Sequence, residues 1–84
     1  MIVNDKAKIG RNITICPGVT VGASKTGVPT IGYNVFLGLG SKVFWGIAIG
    51  NNVIVAPNAV VVKDVPDNCV VAGVPAKIIK KRKL

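Results

Sequence analysis

The sequence predicts an all-β fold, a parallel β-helix of hexapeptide repeats with three hexads, or about 18 residues, in each triangular coil. Two observations lead to this fold. An aliphatic residue returns at every sixth position, and the segment IGxN occurs at residues 9–12, 31–34 and 49–52. A period of six fits neither a helical turn of 3.6 residues nor the simple alternation of a strand. It fits a short strand followed by a corner, with one side chain of each hexad always pointing inward.

Two rows of residues are predicted to fill the interior. The first row has a spacing of six, with one break, and consists of Val3, Ile9, Ile15, Val21, Ile31, Leu37, Val43, Ile49, Val55 and Val61. The second row follows four residues later and consists of Ala7, Ile13, Val19, Val35, Ser41, Ile47, Val53, Ala59 and Val65. Because stacked strands lie about 4.8 Å apart, each row becomes a continuous ladder along the axis.

The IGxN segments are predicted to form one corner of each coil, because Gly and Asn tolerate left-handed backbone angles. The third segment follows the second by three hexads, whereas the second follows the first by three hexads and four further residues. The four extra residues fall within 23–30, where Gly27 and Pro29 interrupt the repeat, and predict one extruded loop at about 23–30. This loop is either slack between coils or a segment that reaches a ligand or a neighbour.

Composition allows one domain of 84 residues, which we divide into a β-helix at 1–66 and a closing segment with a basic tail at 67–84. The net charge is +8, and basic residues concentrate at the end of the chain. This tail is either solvated or binds an anionic small molecule. Nucleic acid and membrane partners are disfavoured, because no aromatic residues accompany the tail and no long apolar segment is present. We expect a cytoplasmic protein with two reduced, structural cysteines, Cys16 and Cys69, and no metal site.

Three segments resemble the C-terminal half of hexapeptide-repeat acyltransferases, above all the serine O-acetyltransferases and the sugar or capsule O-acetyltransferases. They are IGRNITICPGVTVG at 9–22, PTIGYNVFLGLGSKVFWGIAIGNNVIVAPNAVVVKDVPDN at 29–68 and VVAGVPAKIIKK at 70–81. The resemblance implies a left-handed parallel β-helix, a homotrimer and acetyl-CoA as the donor substrate. It therefore predicts the C-terminal segment of an acetyl-CoA-dependent O-acetyltransferase that is similar to serine acetyltransferases.

The chemistry expected on the acceptor side is missing. Acetyl transfer to a hydroxyl needs a base, usually His, but the chain contains no histidine. In the family, this His lies upstream of the segment that resembles residues 8–22, and we expect the chain to begin after it. Serine acetyltransferases often carry Arg-His-Pro in the extruded loop, where this chain has Gly27-Val28-Pro29. No catalytic residue is assigned, and whether the chain is itself an enzyme stays open.

Other polar residues do not replace the missing base. Asp64 and Asp67 belong to the turn sequence KDVPDN, and we interpret both as structural. Ser24 and Ser41 have no activating base in the sequence around them.

The donor side is retained in the resemblance, which places CoA along a groove between two subunits. Leu39 takes the position of a small residue beside the pantetheine arm, and Pro57 takes that of a contact which is often Ala. The remaining candidates are Val62 and Lys63, at a usual Thr-Lys pair, and Lys77 and Lys80, at basic residues that meet the phosphates. Alternatively, Leu39 and Pro57 are only coil surface, and the two tail lysines are only solvated.

Phe44 and Trp45 lie outside both inward rows, where they either pack against a neighbouring subunit or form an exposed corner. The alternative to an acetyltransferase segment is a non-catalytic trimeric β-helix that serves as a scaffold or binding module. A nucleic-acid-binding module is the weaker alternative. The acceptor is left open.

Overall fold

The computed structural model describes residues 2–3, 7–22, 27–44 and 46–83. Every regular element within these residues is a short strand, and there are twelve of them in chain order. They are β1 Ile2–Val3, β2 Lys8–Ile9, β3 Ile13–Ile15, β4 Thr20–Val21, β5 Thr30–Ile31, β6 Val35–Leu37, β7 Lys42–Val43, β8 Ala48–Ile49, β9 Ile54–Val55, β10 Val60–Val61, β11 Cys69–Ala72 and β12 Lys77–Lys81.

The strands form the three walls of a triangular prism. Sheet A has the order β1-β4-β7-β10, sheet B the order β2-β5-β8 and sheet C the order β12-β11-β9-β6-β3. All pairs are parallel except β11 with β12, which are antiparallel. Thr30 pairs with Ala48, and this separation of three hexads confirms the predicted coil length. The prediction of stacked parallel coils without helices is therefore confirmed for the described residues.

The four extra residues lie between β4 and β5. Lys8 pairs with Thr30 and Thr20 pairs with Lys42, so that each of these pairs is separated by three hexads and four further residues. Of the predicted loop at 23–30, residues 23–26 lie outside the described part. Pro29 is already buried, and its carbonyl accepts a hydrogen bond of 3.1 Å from the amide of Lys8. Pro29 is thus part of the coil.

The asparagines of the IGxN corners adopt the predicted left-handed conformation. Asn12, Asn34 and Asn52 have φ angles of 57°, 54° and 58°. Asn58 and Asn68 do the same at later corners, with φ angles of 60° and 59°. Asn is one of the few residues with a side chain that visits this region readily, which explains its recurrence there.

The last coil is two residues shorter than three hexads, which corrects one predicted position. Val65 pairs with Ile49, and Val70 pairs with Ile54 at the same shortened spacing. Val65 therefore stacks on the first inward row, and its predicted place in the second row was wrong. The Asp64 carboxylate fills the shortened corner, since its Oδ1 accepts a hydrogen bond of 2.8 Å from the amide of Ala48.

The two inward rows form the core. In the second to fourth coils their members are buried, and Val21, Leu37, Val43, Val53 and Val55 are completely inaccessible to solvent. Ile9, Ile13 and Ile15 in the first coil are half-buried and pack against this core. Such a thin aliphatic prism leaves the outer faces of the sheets to carry any site.

Candidate functional site

Sheet C contains two of the predicted site residues, Lys77 and Lys80 in β12, and Leu39 and Pro57 follow its strands β6 and β9. Its central outward column follows the strand register and consists of Thr14, Phe36, Ile54, Val70 and Lys80. On one side of this column runs the small-residue strip, defined as Cys16, Gly38, Ala56 and Ala72. On the other side runs the asparagine ladder, defined as Asn12, Asn34, Asn52 and Asn68. These two flanks have very different chemistry.

A register shift in β12 places two predicted lysines on the same face. Lys77 lies opposite Ala72 and Lys80 lies opposite Val70, with the shift between Val70 and Val71. In a regular strand, residues three apart point to opposite faces, but the extra residue Ile79 compensates for this. Both lysines therefore point outward with Ala72 and Val70, at the end of the small-residue strip.

Leu39 and Pro57 border the same strip along its length. They follow Gly38 and Ala56 directly and stack at one corner, where the amide of Asn58 donates a hydrogen bond of 2.8 Å to the carbonyl of Leu39. Leu39 is 54% exposed. A Cβ on Gly38 would lie 2.6 Å from the Val55 carbonyl oxygen, so close stacking of the coils here requires glycine.

Val62 and Lys63 lie at a different corner, after β10 in sheet A. Val62 is half-buried and Lys63 is exposed. The chain that enters β12 passes along β10, because the amide of Ala76 donates a hydrogen bond of 2.8 Å to the carbonyl of Val60. Within one chain, the structure thus groups Leu39, Pro57 and Lys77 around the strip and places Lys80 beside it, at the end of the central column. Val62 and Lys63 lie at another corner.

The asparagine ladder is closed by hydrogen bonds between its own side chains. Nδ2 of Asn12 donates to Oδ1 of Asn34 at 3.0 Å, and Asn34 donates to Asn52 at 3.1 Å. Asn52 in turn donates to Asn68 at 3.0 Å. The ladder therefore ties four successive coils together along one corner.

Arg82 is a candidate binding residue that sequence reasoning did not identify. Its amide donates a hydrogen bond of 2.7 Å to the carbonyl of Asn68, and its Nη1 donates one of 3.0 Å to the carbonyl of Asn52. These contacts hold its guanidinium against the ladder. Only a position in a basic run marks Arg82 in the sequence, and its contact with Asn52 spans 30 residues.

Two cavities on sheet C meet at Arg82 and Ile54. One has a volume of about 450 Å³ and is lined by Ile54, Val70, Lys80, Lys81, Arg82 and Lys83. The other has a volume of about 400 Å³ and is lined by Asn12, Thr14, Asn34, Val35, Phe36, Asn52, Ile54 and Arg82. Together they form one trough between the central column and the asparagine ladder, which we call the ladder trough.

The aspartates of KDVPDN have the predicted structural contacts. Oδ1 of Asp67 accepts a hydrogen bond of 2.7 Å from the amide of Asn51, just as Oδ1 of Asn51 accepts one from Tyr33 a coil earlier.

Ser41 is buried in the second inward row, and its Oγ has no hydrogen-bond partner among the described residues. Ser24 lies outside the described residues. The described residues contain no cluster of His, Cys, Asp or Glu that could bind a metal ion.

The two cysteines are free thiols in different surroundings. Cys16 is half-buried at the beginning of the small-residue strip. Cys69 is fully buried below Asn68, and its Sγ donates a hydrogen bond of 3.1 Å to the carbonyl of Pro66. Burial raises the pKa of the Cys69 thiol above its usual value; Lys81 opposes this rise and Asp67 adds to it. Cys69 is therefore a neutral structural thiol near neutral pH.

Phe44 lies beside Gly22 of its own chain. The ring is half-buried, and it lies next to Gly22, where an added Cβ would meet Cδ1 of Phe44 at 3.2 Å. Trp45 lies outside the described residues. Helices of the length and apolarity that a membrane span needs do not occur in the part of the chain described here.

Sequence comparison and structure comparison both relate this chain to hexapeptide-repeat acyltransferases. Residues 30–63 match the family described as "Hexapeptide repeat of succinyl-transferase". The serine acetyltransferase of Mycobacterium tuberculosis is 41% identical over 85 residues, covering 94% of this chain and 36% of that protein. Over nearly its whole length the chain is similar to hexapeptide-repeat acyltransferases. It is similar to serine acetyltransferases and spans about a third of the length of these curated relatives.

Solved structures of the family match nearly the whole chain. The Brucella abortus serine acetyltransferase in complex with coenzyme A has a TM-score of 0.92 and 36% identity, covering 99% of this chain and 35% of that one. A galactoside acetyltransferase in complex with coenzyme A has a TM-score of 0.84 and 34% identity, covering 98% and 48%. These neighbours are left-handed β-helices, which confirms the predicted fold class and its handedness.

Proposed function

We propose that this chain forms the donor side of an acetyl-CoA-dependent O-acetyltransferase, with CoA along the small-residue strip and its phosphates at Lys77 and Lys80. The observation that carries the proposal is the register shift in β12, which turns both lysines to the face where Leu39 and Pro57 border the strip. Lysine can hold a phosphate as a point charge. The two neighbours solved with coenzyme A support this choice of ligand.

The proposal includes a homotrimer in which Val62 and Lys63 of one subunit approach the strip of the next. This arrangement gives a role to the two candidates that lie at another corner of the prism. An exposed apolar side chain such as Leu39 is typical of a surface that a partner covers. A cytoplasmic location is consistent with the two free cysteines.

Calorimetric titration of CoA against the chain and against a Lys77→Ala/Lys80→Ala double variant tests the donor site. We expect a dissociation constant of about 100 μM or weaker for the chain, because Leu39 and Pro57 reduce the pantetheine contacts. The double variant should bind about tenfold more weakly, and the affinity of the chain should fall with added salt. Equal affinities for the two proteins would refute the assignment.

A non-catalytic trimeric scaffold is the second candidate function, favoured by the absence of histidine from these 84 residues. Without a base, the acceptor hydroxyl keeps its proton and the thioester is not attacked. We therefore expect no acetylation of serine or of a sugar above background. Release of CoA thiol from acetyl-CoA that depends on an added acceptor would exclude the scaffold.

A further inference from the structure

The ladder trough is a second surface on sheet C, on the other side of the central column from the small-residue strip, and it shares only Lys80 with the proposed donor site. It crosses the five strands of the sheet and is therefore about 19 Å long, at about 4.8 Å per strand. An extended peptide of about six residues has this length. Phe36, which is 40% exposed, and Ile54 form its apolar wall.

The wall opposite Phe36 carries both donors and acceptors. Each bond of the asparagine ladder uses one N–H and one lone pair of an amide group, so that a second N–H and a second lone pair remain on Asn34 and Asn52. A peptide backbone offers both kinds of partner, whereas a phosphate group accepts only. The neutral part of the trough therefore favours a polypeptide ligand.

The other end of the trough is strongly cationic. Lys80, Lys81, Arg82 and Lys83 line it, and no carboxylate does so in the described part of the chain. The hydrogen bond from Nη1 of Arg82 to Asn52 fixes the guanidinium in place, so the rest of its planar donor fork is oriented before a carboxylate arrives. The repulsion between these neighbouring cations decreases when an anionic partner binds.

A second copy of this chain is a poor source of that anion. The chain has three acidic residues against eleven basic ones, and both Asp64 and Asp67 already accept backbone hydrogen bonds. We propose that the ladder trough binds an extended segment of another protein, with the acidic end of that segment at Arg82 and its apolar side chains against Phe36 and Ile54.

Fluorescence anisotropy with two labelled, amidated hexapeptides tests the proposal. One has the sequence Ser-Val-Ser-Val-Glu-Glu, and the other has Gln in place of both Glu residues. The titrations use the 84-residue chain at an ionic strength of about 0.15 M, where nonspecific electrostatic attraction is partly screened. The dissociation constant of the acidic peptide should be about tenfold lower than that of the peptide with Gln. Equal binding of the two peptides, or binding of neither at millimolar concentration, would overturn the proposal.

Two variants separate the trough from general charge. Arg82→Gln should remove most of the preference for the acidic peptide, while the shorter side-chain amide keeps a donor on the ladder side of the trough. Lys8→Gln is the matched control, because Lys8 is exposed on sheet B and its loss lowers the net charge equally. If both variants weakened the binding of the acidic peptide to a similar extent, its preference would be explained by net charge alone. Phe36→Ser should weaken the binding of both peptides. The Phe36 side chain points outward, so this substitution leaves the core unchanged.

Competition with CoA distinguishes this site from the donor site. Lys80 lines the trough and is also assigned to the donor site, so saturating CoA should weaken the acidic peptide by no more than about twofold. Lys77→Ala should weaken CoA without affecting the peptide, because Lys77 does not line the trough. If CoA instead displaced the peptide, and Arg82→Gln weakened CoA as much as the peptide, the trough would be part of the donor site and the proposal of a separate site would fall. Failure of CoA binding alone would refute the proposed donor function and leave the peptide result valid.

Discussion

The two flanks of the central column of sheet C share one coil geometry but differ in how their polar groups are used. On the ladder flank, Asn34 and Asn52 bond to each other and to their neighbours. On the strip flank, Ala56 and Ala72 have no polar side-chain groups, and the lysines at its end point to solvent. The difference indicates that the ladder contributes to stability, whereas the strip leaves space and charge for a ligand.

The largest expected effect comes from breaking the ladder. Asn52→Val should lower the free energy of unfolding by about 3 kcal/mol, because two side-chain hydrogen bonds are lost and a β-branched residue must adopt a φ angle of 58°. Chemical denaturation followed by circular dichroism measures this change. Asn52→Gly is the control that loses the same bonds without the backbone cost, and it should be less destabilised. An unchanged midpoint for Asn52→Val would show that the ladder contributes little.

The fold was largely predictable from sequence because the hexad period is a local signal that each coil repeats. The exception is informative. Val65 was assigned to the wrong row because the sequence pattern continues past residue 61, while the coil is shortened by two residues and Asp64 replaces a backbone acceptor. A side chain that accepts a hydrogen bond in place of a backbone carbonyl does not change the hydrophobic periodicity, so the pattern cannot reveal it.

The site was less predictable, because its geometry depends on contacts between distant residues. Family resemblance predicts Lys77 and Lys80 as binding residues, but only the register shift at Ile79 explains how residues three apart share a face. Arg82 was missed since its partner, Asn52, lies 30 residues away. Asparagine at the corners was predicted from its backbone preference, whereas the bonds between the asparagine side chains appear only when the coils are stacked.

Adjacent lysines in β12 provide the next comparison. Lys80 lies opposite Val70 in the central column, whereas Lys81 lies opposite the inward-facing Cys69 and is exposed beside the ladder trough. Lys80→Ala should weaken CoA binding about fivefold, and Lys81→Ala less than about twofold, although both remove one exposed charge. A regular strand would reverse this order, because Lys81 would then share a face with Lys77. Calorimetric titration of both variants measures the order, and the reversed result would contradict the shifted register as the basis of the donor site.

A smaller effect is expected from relieving crowding beside the strip. Leu39→Ala should tighten CoA binding about threefold, because the family resemblance places a small residue at this position beside the pantetheine arm. Tyr33→Ala is the matched control, since Tyr33 is a large side chain with 44% exposure at the ladder corner. The control should not change CoA affinity. If Leu39→Ala bound CoA more weakly than the chain itself, Leu39 would be a contact for the ligand and not an obstacle.

The smallest effect concerns the two cysteines, Cys16 in the strip and Cys69 in the core next to the last asparagine of the ladder. Cys69 lies buried below the end of the ladder, and burial raises the pKa of its thiol. The unfolded chain therefore releases this proton at a lower pH than the folded chain. Below the thiol pKa of the unfolded chain, the stability that the neutral thiol provides is fully present. As the pH rises from there through the higher pKa of the folded state, this stability is lost, because a thiolate cannot donate to the Pro66 carbonyl and would be a buried charge.

Denaturant midpoints measured from pH 7 to pH 10 should thus fall more steeply for the chain than for Cys69→Ala. Cys16→Ala, which removes the thiol of the strip and keeps Cys69, should retain the steep fall. Parallel curves for the chain and Cys69→Ala would show that the buried thiol has no part in the pH dependence of folding.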